Sequence, residues 1–255
     1  MAKILGFELR KITGKNAGRE AIDFDRTLQI LLERAKRSEA PVILDVGAHR
    51  GESVARFRKI FPGSRIFCFE PNSDNFESLK SKLGATPAVE LFNCALGATA
   101  EKRTLQQNIK SDTSSFLPLN ADSDWLKRRA MRFQVDPKDF TSKENPVAVQ
   151  ALDQFCQEQS IDRIQILKID TQGFEPEVLK GAETFLKNRS IDVLELEVML
   201  GDVYASSVNF LDLETHLLPN GYKFVAIDRP ANLISTPDSN PNVIYARSEL
   251  LEARA

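Results

Sequence analysis

The run Ile43-Leu44-Asp45-Val46-Gly47-Ala48-His49-Arg50-Gly51-Glu52, followed by Phe69-Glu70-Pro71 at the end of the next apolar run, restricts what this chain can fold into more than any other feature. An apolar strand ending in an acid, a turn whose glycines let the backbone approach a ligand, and then the first turn of a helix make up the ligand edge of a doubly wound α/β sheet. The second acid, Glu70, stands where such folds place a carboxylate that grips a ribose. A strand and tight turn without a ligand is the competing reading of the first run, and Glu70 at the next strand end weakens it.

The rest of the chain repeats the pattern. Apolar residues at Phe24, Leu28, Leu31, Leu32 and Ala35 predict an N-terminal helix. Then come strand Val42 to Val46, helix Ser53 to Ile60, strand Arg65 to Glu70, helix Ser73 to Leu83 and strand Val89 to Ala95. Ser73 with Asp74 is the expected N-cap of that second helix, and Gly84 its stop. From Thr99 to about Asn145 the pattern loosens: Arg103 to Ile109 predicts a short strand, whereas 112–123 and 136–145 predict loops, together a substrate-side lid. Regularity returns with strand Val147 to Leu152, a helix through Cys156, strand Ile164 to Ile169, a helix from Pro176 to Leu186 interrupted at Gly181, strand Val193 to Val198, helix Phe210 to Leu218, and strands Tyr222 to Ile227 and Asn242 to Ala246. The turn-rich segment 228–241 is long enough to reverse the chain, which predicts an antiparallel last strand. Repeated βαβ units imply a parallel sheet with right-handed crossovers. Residues 1–40 are expected as a helical extension and 41–255 as the main domain.

At 255 residues the chain suffices for one large α/β domain. Lys+Arg 34 against Asp+Glu 36 gives a net charge of -2, so no global basic field draws in nucleic acid. Lys127-Arg128-Arg129 with Arg132 is a local cluster, expected on a solvated helix face. Cys68, Cys94 and Cys156 form no C-x-x-C pair and fit small core positions in a reducing compartment. With no apolar N-terminal stretch long enough for a signal peptide or span, the expectation is a cytoplasmic protein without a membrane span.

The turn also discriminates among adenosine cofactors. A dinucleotide site needs G-x-G-x-x-G so that pyrophosphate can lie on the amides. Here His49 takes the middle glycine's place, which disfavours a nucleotide-sugar oxidoreductase using NAD. An acid two residues before the first glycine suits a cofactor with a cationic amino-acid end, reached directly or through water. D-x-G-x-x-x-G followed by E-P resembles the first two motifs of class I methyltransferases, whose cofactor is S-adenosylmethionine.

A second run, Ile166-Leu167-Lys168-Ile169-Asp170-Thr171-Gln172-Gly173-Phe174-Glu175-Pro176-Glu177-Val178-Leu179-Lys180-Gly181-Ala182, sets a lysine and an acid of equal side-chain parity near the carboxyl end of a strand. They are either a Lys–Asp ion pair or part of a site, since buried charge pairs add little stability and often stand where function requires them. The order D-V-G-A-x-x-G, F-E-P, N-x-A-L-G, L-K-I-D-x-x-G-x-E-x-x-V-L-K-G-A and then E-L-E-V, from about Val42 to Arg247, resembles the FkbM family of S-adenosylmethionine-dependent methyltransferases. The resemblance implies a Rossmann-like class I methyltransferase fold: a mostly parallel seven-stranded sheet with helices on both faces. It also implies methyl transfer, usually to an oxygen of a sugar, polyketide or other small natural product.

Carried over by position, Asp45, Gly47 and Gly51 would shape the methionine end with Ala48 and His49 between them, Glu70 with Pro71 the ribose, and the Asn93-to-Leu96 segment, with Asn93 and Ala95, the adenine. Asp170 is the expected base for a hydroxyl acceptor and Lys168 its partner. Ser114, Ser115, Gln172, Glu195 and Glu197 are expected on the substrate side. Gln172 departs from the acid common in the family and cannot act as a base or as a carboxylate on a metal. With only two histidines, His49 and His216, no metal site is expected. The partner is therefore a small-molecule or carbohydrate acceptor, with monomer and homodimer both open. A non-catalytic scaffold with the same fold is the second reading, raised by Gln172.

Overall fold

The computed structural model describes residues 23–206, 208–228 and 240–252. Residues 1–22 of the expected extension and residues 229–239 of the turn-rich segment lie outside the described residues. In chain order the elements are Phe24–Arg34 (α1), Val42–Val46 (β1), Glu52–Ile60 (α2), Arg65–Phe69 (β2), Ser73–Leu83 (α3), Val89–Phe92 (β3), Ala95–Gly97 (β4), Glu101–Asn108 (β5) and Asp124–Phe133 (α4). Then follow Thr141–Ala151 (β6), Leu152–Glu158 (α5), Ile164–Ile169 (β7), Glu175–Gly181 (α6), Glu183–Lys187 (α7), Ile191–Glu197 (β8), Phe210–Leu217 (α8), Tyr222–Ile227 (β9) and Asn242–Arg247 (β10).

Seven strands form the main sheet in the order β3-β2-β1-β7-β8-β10-β9. Strands β3, β2, β1, β7 and β8 run parallel. Strand β10 is antiparallel to both β8 and β9, as the reversing connection requires. Alternate residues of each central strand enter opposite apolar layers, because successive side chains point to opposite faces. Leu44, Phe67, Leu167 and Leu194 pack with α5, α6, α7 and α8. Ile43, Ile66, Ile166 and Val193 pack on the other face with α1, α2 and α3. Helix α1 buries Leu28, Leu31 and Leu32 in that layer, so it belongs to the main core.

The structure changes several local expectations. The run from Val89 is two strands: β3 ends at Phe92, and β4 turns away into a second sheet of order β4-β6-β5. The break is held by Asn93, whose side-chain amide donates to the Glu70 carbonyl at 2.8 Å. The strand expected at Val147 to Leu152 likewise belongs to this second sheet, as the end of the eleven-residue β6, with Leu152 already the first residue of α5. The segment expected as an irregular lid is largely regular: β5 pairs antiparallel with β6, and α4 stands between them in sequence. The short strand expected at Arg103 to Ile109 is β5, Glu101–Asn108, although that run has only one aliphatic residue. Helix α4 buries Trp125, Leu126 and Ala130 against Phe140, Met199, Val203 and Tyr204, a small separate core, and carries Lys127, Arg128 and Arg132 on its exposed face. Asn72, one residue earlier than expected, caps α3 by accepting from the Asp74 and Asn75 amides.

Candidate active site

A cavity of about 580 Å³ opens at the carboxyl ends of β1, β2, β7 and β8, within the range of small-molecule sites. Its floor begins at the β1 turn. Strand β1 ends between its neighbours: Gly47 N–H donates to the Phe69 carbonyl at 3.0 Å, and Asp170 N–H to the Val46 carbonyl at 2.9 Å. A Cβ on Gly47 would lie 1.9 Å from the Asp170 carbonyl oxygen, and its φ of +85° is left-handed, so only glycine fits. Gly51, also at φ +85°, caps α2 where a Cβ would strike Leu83 and Leu79. His49 between them is left-handed despite its side chain, at φ 49°, a strained conformation of the kind that gathers at ligand sites.

Glu70 ends β2 inside the cavity wall and is 5% exposed. Its Oε2 accepts from the His49 amide at 2.8 Å and its Oε1 from the Asn72 amide at 2.9 Å. The Asn75 side chain also hydrogen-bonds the carboxylate, and the carboxylate's remaining lone pairs can accept from a ligand hydroxyl. Burial pushes the carboxyl up to about 7, against the opposing pull of the Asn72 and His49 amides. The His49 ring spans two elements: Nε2 lies 3.1 Å from Ser111 Oγ, and Nδ1 lies 3.5 Å from Glu52.

Behind the turn the strands align a row of charges. Asp45 on β1 pairs in register with Lys168 on β7, and Lys168 with Glu195 on β8. Lys168 Nζ sits 3.5 Å from Asp45 Oδ1 and 3.2 Å from Asp170 Oδ2, and the charges of Asp170, Asp45 and Glu195 outweigh burial to hold the ammonium protonated. Asp45 is fully buried beneath the cavity and accepts from Ser53 Oγ at 2.7 Å; its Oδ1 has no hydrogen-bond donor. Glu195 is gripped by Arg56 of α2 through two contacts of 2.6 and 2.9 Å, and Arg56 reaches on to Asp25 of α1.

One step nearer the opening, Gln172 Nε2 donates to Asp170 Oδ1 at 3.0 Å and to Glu197 Oε2 at 2.7 Å. Its Oε1 lies 3.2 Å from the Tyr204 hydroxyl, whose single hydrogen is shared between it and the nearer Thr113 carbonyl at 2.8 Å. Gln172 too has a left-handed backbone, φ 57°. The loop is fixed from below by Glu175, fully buried, which accepts from the Thr171 amide at 2.8 Å and the Gly173 amide at 3.0 Å. The glutamate of the G-x-E motif therefore holds the loop. Burial raises the Glu197 carboxyl well above the ordinary range, reinforced by the charges of Asp170 and Glu175 and opposed by Lys168 and the Gln172 hydrogen bond.

The cavity thus gathers Gly47, Ala48, His49, Glu70, Pro71, Ala95, Ser114, Lys168, Asp170, Gln172, Glu195 and Glu197. Asp45, Gly51, Asn93 and Ser115 lie outside its lining and act through others: Ser115, for example, is buried and donates to the Gln172 carbonyl at 2.7 Å. Residues that the sequence reading passed over also line it. Phe116 and Phe174 pack with ring centres 4.7 Å apart and planes tilted by 55°, Asn75 and Leu105 add to the wall, and Asn242 enters from β10 beside Glu197. Only Phe174 lay within a recognised motif. Among the described residues no group of three or more His, Cys, Asp or Glu can hold a metal ion, and no helix is long and apolar enough to cross a membrane.

The fold and this geometry agree with what the chain is similar to. Residues 45–224 match the family described as Methyltransferase FkbM domain. The chain is 30% identical over 163 residues to the 2-O-methyltransferase NoeI of Sinorhizobium fredii, covering 59% of this chain and 61% of that protein, so it spans less than two thirds of that relative's length. It is 25% identical over 191 residues to Methyltransferase 1 of Beauveria bassiana, covering 74% of each. Among solved structures, Aeropyrum pernix fibrillarin with natively bound S-adenosyl-L-methionine aligns over 86% of this chain and 76% of that one, with 12% identity and a TM-score of 0.46. With the family match spanning the β1 turn, the Lys168–Gly173 run and both acidic strand ends, the chain belongs to the FkbM family of S-adenosylmethionine-dependent methyltransferases.

Proposed function

We propose that this chain transfers the methyl group of S-adenosylmethionine to a hydroxyl of a small-molecule or carbohydrate acceptor. The observation that carries this reading is a single cavity with Glu70 at one end and the Asp170–Gln172–Glu197 cluster at the other. Across the β2-β1-β7-β8 order Glu70 is two strand spacings from the end of β7, which carries Asp170, and three from β8, which carries Glu197, roughly 10 to 14 Å. That suits a ligand whose nucleoside and reacting centre are recognised separately. The residues fit the cofactor: Glu70 keeps lone pairs that can accept from a ribose hydroxyl, the Gly47 turn allows close backbone approach, and Ala95, Leu96 and Leu105 give an apolar wall for adenine. When bound, S-adenosylmethionine supplies an electrophilic methyl group on a sulfonium.

The chain's own work is alignment and proton handling. Holding the acceptor oxygen in line with the methyl carbon removes most of the entropic part of the barrier. A carboxylate within hydrogen-bond reach takes the hydroxyl proton, and Asp170 and Glu197 are the carboxylates at hand. Phe116 and Phe174 exclude water from that end. Oxygen as the accepting atom is supported by the relationship to a 2-O-methyltransferase. Methyl-labelled cofactor incubated with matched hydroxyl and amine acceptors tests it: label is expected in ether products. Label confined to amines would move the assignment to nitrogen, and cofactor binding without transfer across the panel would favour the scaffold reading.

A further inference from the structure

We propose that Glu197, and not Asp170, receives the proton of the acceptor hydroxyl, and that Gln172 is the positioning residue that divides the two roles. This rests on the reading of the site as a hydroxyl methyltransferase. The two carboxylates differ in what already holds them. Asp170 has Lys168 Nζ at 3.2 Å on Oδ2 and Gln172 Nε2 at 3.0 Å on Oδ1. Lys168 is 7% exposed and its other counter-ion is Asp45 at 3.5 Å. A proton placed on Asp170 would remove the nearer of the buried ammonium's two counter-ions and leave it only Asp45 at 3.5 Å, a cost that Glu197, with no cation in contact, does not carry. Glu197 has no cation in contact. Its Oε2 accepts from Gln172 at 2.7 Å, and among the described residues nothing donates to its Oε1, which belongs to a side chain lining the cavity.

Burial and the neighbouring carboxylates Asp170 and Glu175 favour a proton on Glu197, and they outweigh Lys168 and the Gln172 hydrogen bond, which oppose it. From β7 and the loop after it come Asp170, Lys168 and Gln172; from α6, Glu175; from the segment after β8, Tyr204; from the paired position on β10, the neutral Asn242. Glu195, two residues earlier on the same face, is already neutralised by Arg56. The local excess is therefore negative, and burial adds to it.

Gln172 spends both amide hydrogens, one on each carboxylate, while Tyr204 stands at its oxygen. The amide therefore has one orientation, since the flipped form would set its oxygen against two carboxylates. An ionised acid at this position could not bridge them; the amide is what joins the two carboxylates while only Asp170 has a cation in contact. In the transfer, the hydroxyl O–H bond breaks and its proton passes to Glu197 Oε1. The acceptor oxygen forms its bond to the methyl carbon with its own electron pair, and the carbon–sulfur pair stays on sulfur. One positive charge on sulfur and one negative charge on Glu197 disappear together.

Two readouts test this. Infrared titration of the ligand-free protein is expected to show carboxylic-acid absorption that persists above the ordinary carboxylate range, with Glu70 contributing one component and Glu197 another; the Glu197 component is lost in Glu197→Gln and kept in Asp170→Asn. The profile of kcat/KM against pH is expected to rise along a limb set by that same group. Glu197→Gln loses the limb and about 100- to 10,000-fold in rate; Asp170→Asn keeps the limb and loses under about tenfold, the range left when no acid-base step is removed. Gln172→Leu, which removes a hydrogen bond to the ionised form, moves the limb to higher pH. Glu197→Asp, a gentler change, retains a displaced limb if Glu197→Gln does not fold. An unchanged infrared spectrum in both Glu197 variants, or a limb lost with Asp170 and kept without Glu197, would overturn the proposal. If no hydroxyl acceptor is methylated while the infrared band follows Glu197, the proton assignment stands and the oxygen-acceptor reading fails instead.

Discussion

Glu70→Gln should make the ligand-free protein more stable at pH 8 while weakening the cofactor, because the wild-type carboxylate is held ionised in a site that resists the charge. Its folded value, about 7 against an ordinary 4.5, means the folded protein binds more protons than the unfolded chain between those limits. Stability contributed by this group is therefore greatest below pH 4.5 and declines as pH rises through about 7. At 1.36 kcal/mol per unit, a shift of that size makes the ionised group cost about 3 kcal/mol at pH 8. The amide removes that cost. It also turns one N–H toward an amide donor of His49 or Asn72, losing a hydrogen bond worth about 1 kcal/mol at both pH values. The net expectation is a variant more stable than wild type by about 2 kcal/mol at pH 8 and slightly less stable at pH 4.5. Urea unfolding at both pH values measures this. The same variant should bind S-adenosylmethionine tenfold or more weakly, since a charge-assisted bond of about 1.5 to 3 kcal/mol is reduced to a neutral one. A stability difference that does not change with pH would refute the desolvation argument. Unchanged affinity would remove Glu70 from the ribose.

Three further outcomes follow from the geometry. Gly47→Ala should destabilise by about 3 kcal/mol, through left-handed strain and the clash with the Asp170 carbonyl, read as a fall in the urea midpoint without a change in slope. Arg56→Met should cost about 3 to 5 kcal/mol by leaving buried Glu195 without its cation, and adding Glu195→Gln should recover most of it in a double-mutant cycle. Gln172→Glu should place a third carboxylate between two that lie 3.0 and 2.7 Å from the present amide, so its stability penalty should grow from pH 5 to pH 8 and be relieved by millimolar Mn²⁺, with no such relief in wild type.

The main sheet was legible because its central strands β1, β2, β7 and β8 are buried on both faces and read as apolar runs separated by amphipathic helices. Val42–Val46 and Tyr222–Ile227 match expectation to the residue, and the antiparallel last strand followed from connection length alone. The second sheet was legible only in fragments: strands were expected at Arg103 to Ile109 and Val147 to Leu152, but not the first half of β6 or the pairing of β5 with β6. Strand β5 presents Leu105 among polar residues, and its partner β6 begins in Thr141-Ser142-Lys143-Glu144-Asn145, a run whose composition signals a turn. Both are held by backbone pairing, to which composition gives little clue. Within the site, motif spacing located the residues but not their relations. Asp45 and Lys168 are 123 positions apart, and only the β1–β7 register brings them together. The grip of Arg56 on Glu195 depends on a helix crossing the same strand ends. Gln172 was visible as a departure, but its bridging role needed the positions of Tyr204 and Glu197, which lie outside its own motif.

Calorimetric titration of S-adenosylmethionine into the full-length protein addresses the central claim most directly. One site of micromolar affinity is expected, with S-adenosylhomocysteine competing for it, and at about 100 times the dissociation constant the ligand should raise stability by about 2.7 kcal/mol. No heat and no stabilisation with either ligand, from a protein shown to be folded, would contradict the assignment of the cavity between Glu70 and Glu197 as a cofactor site.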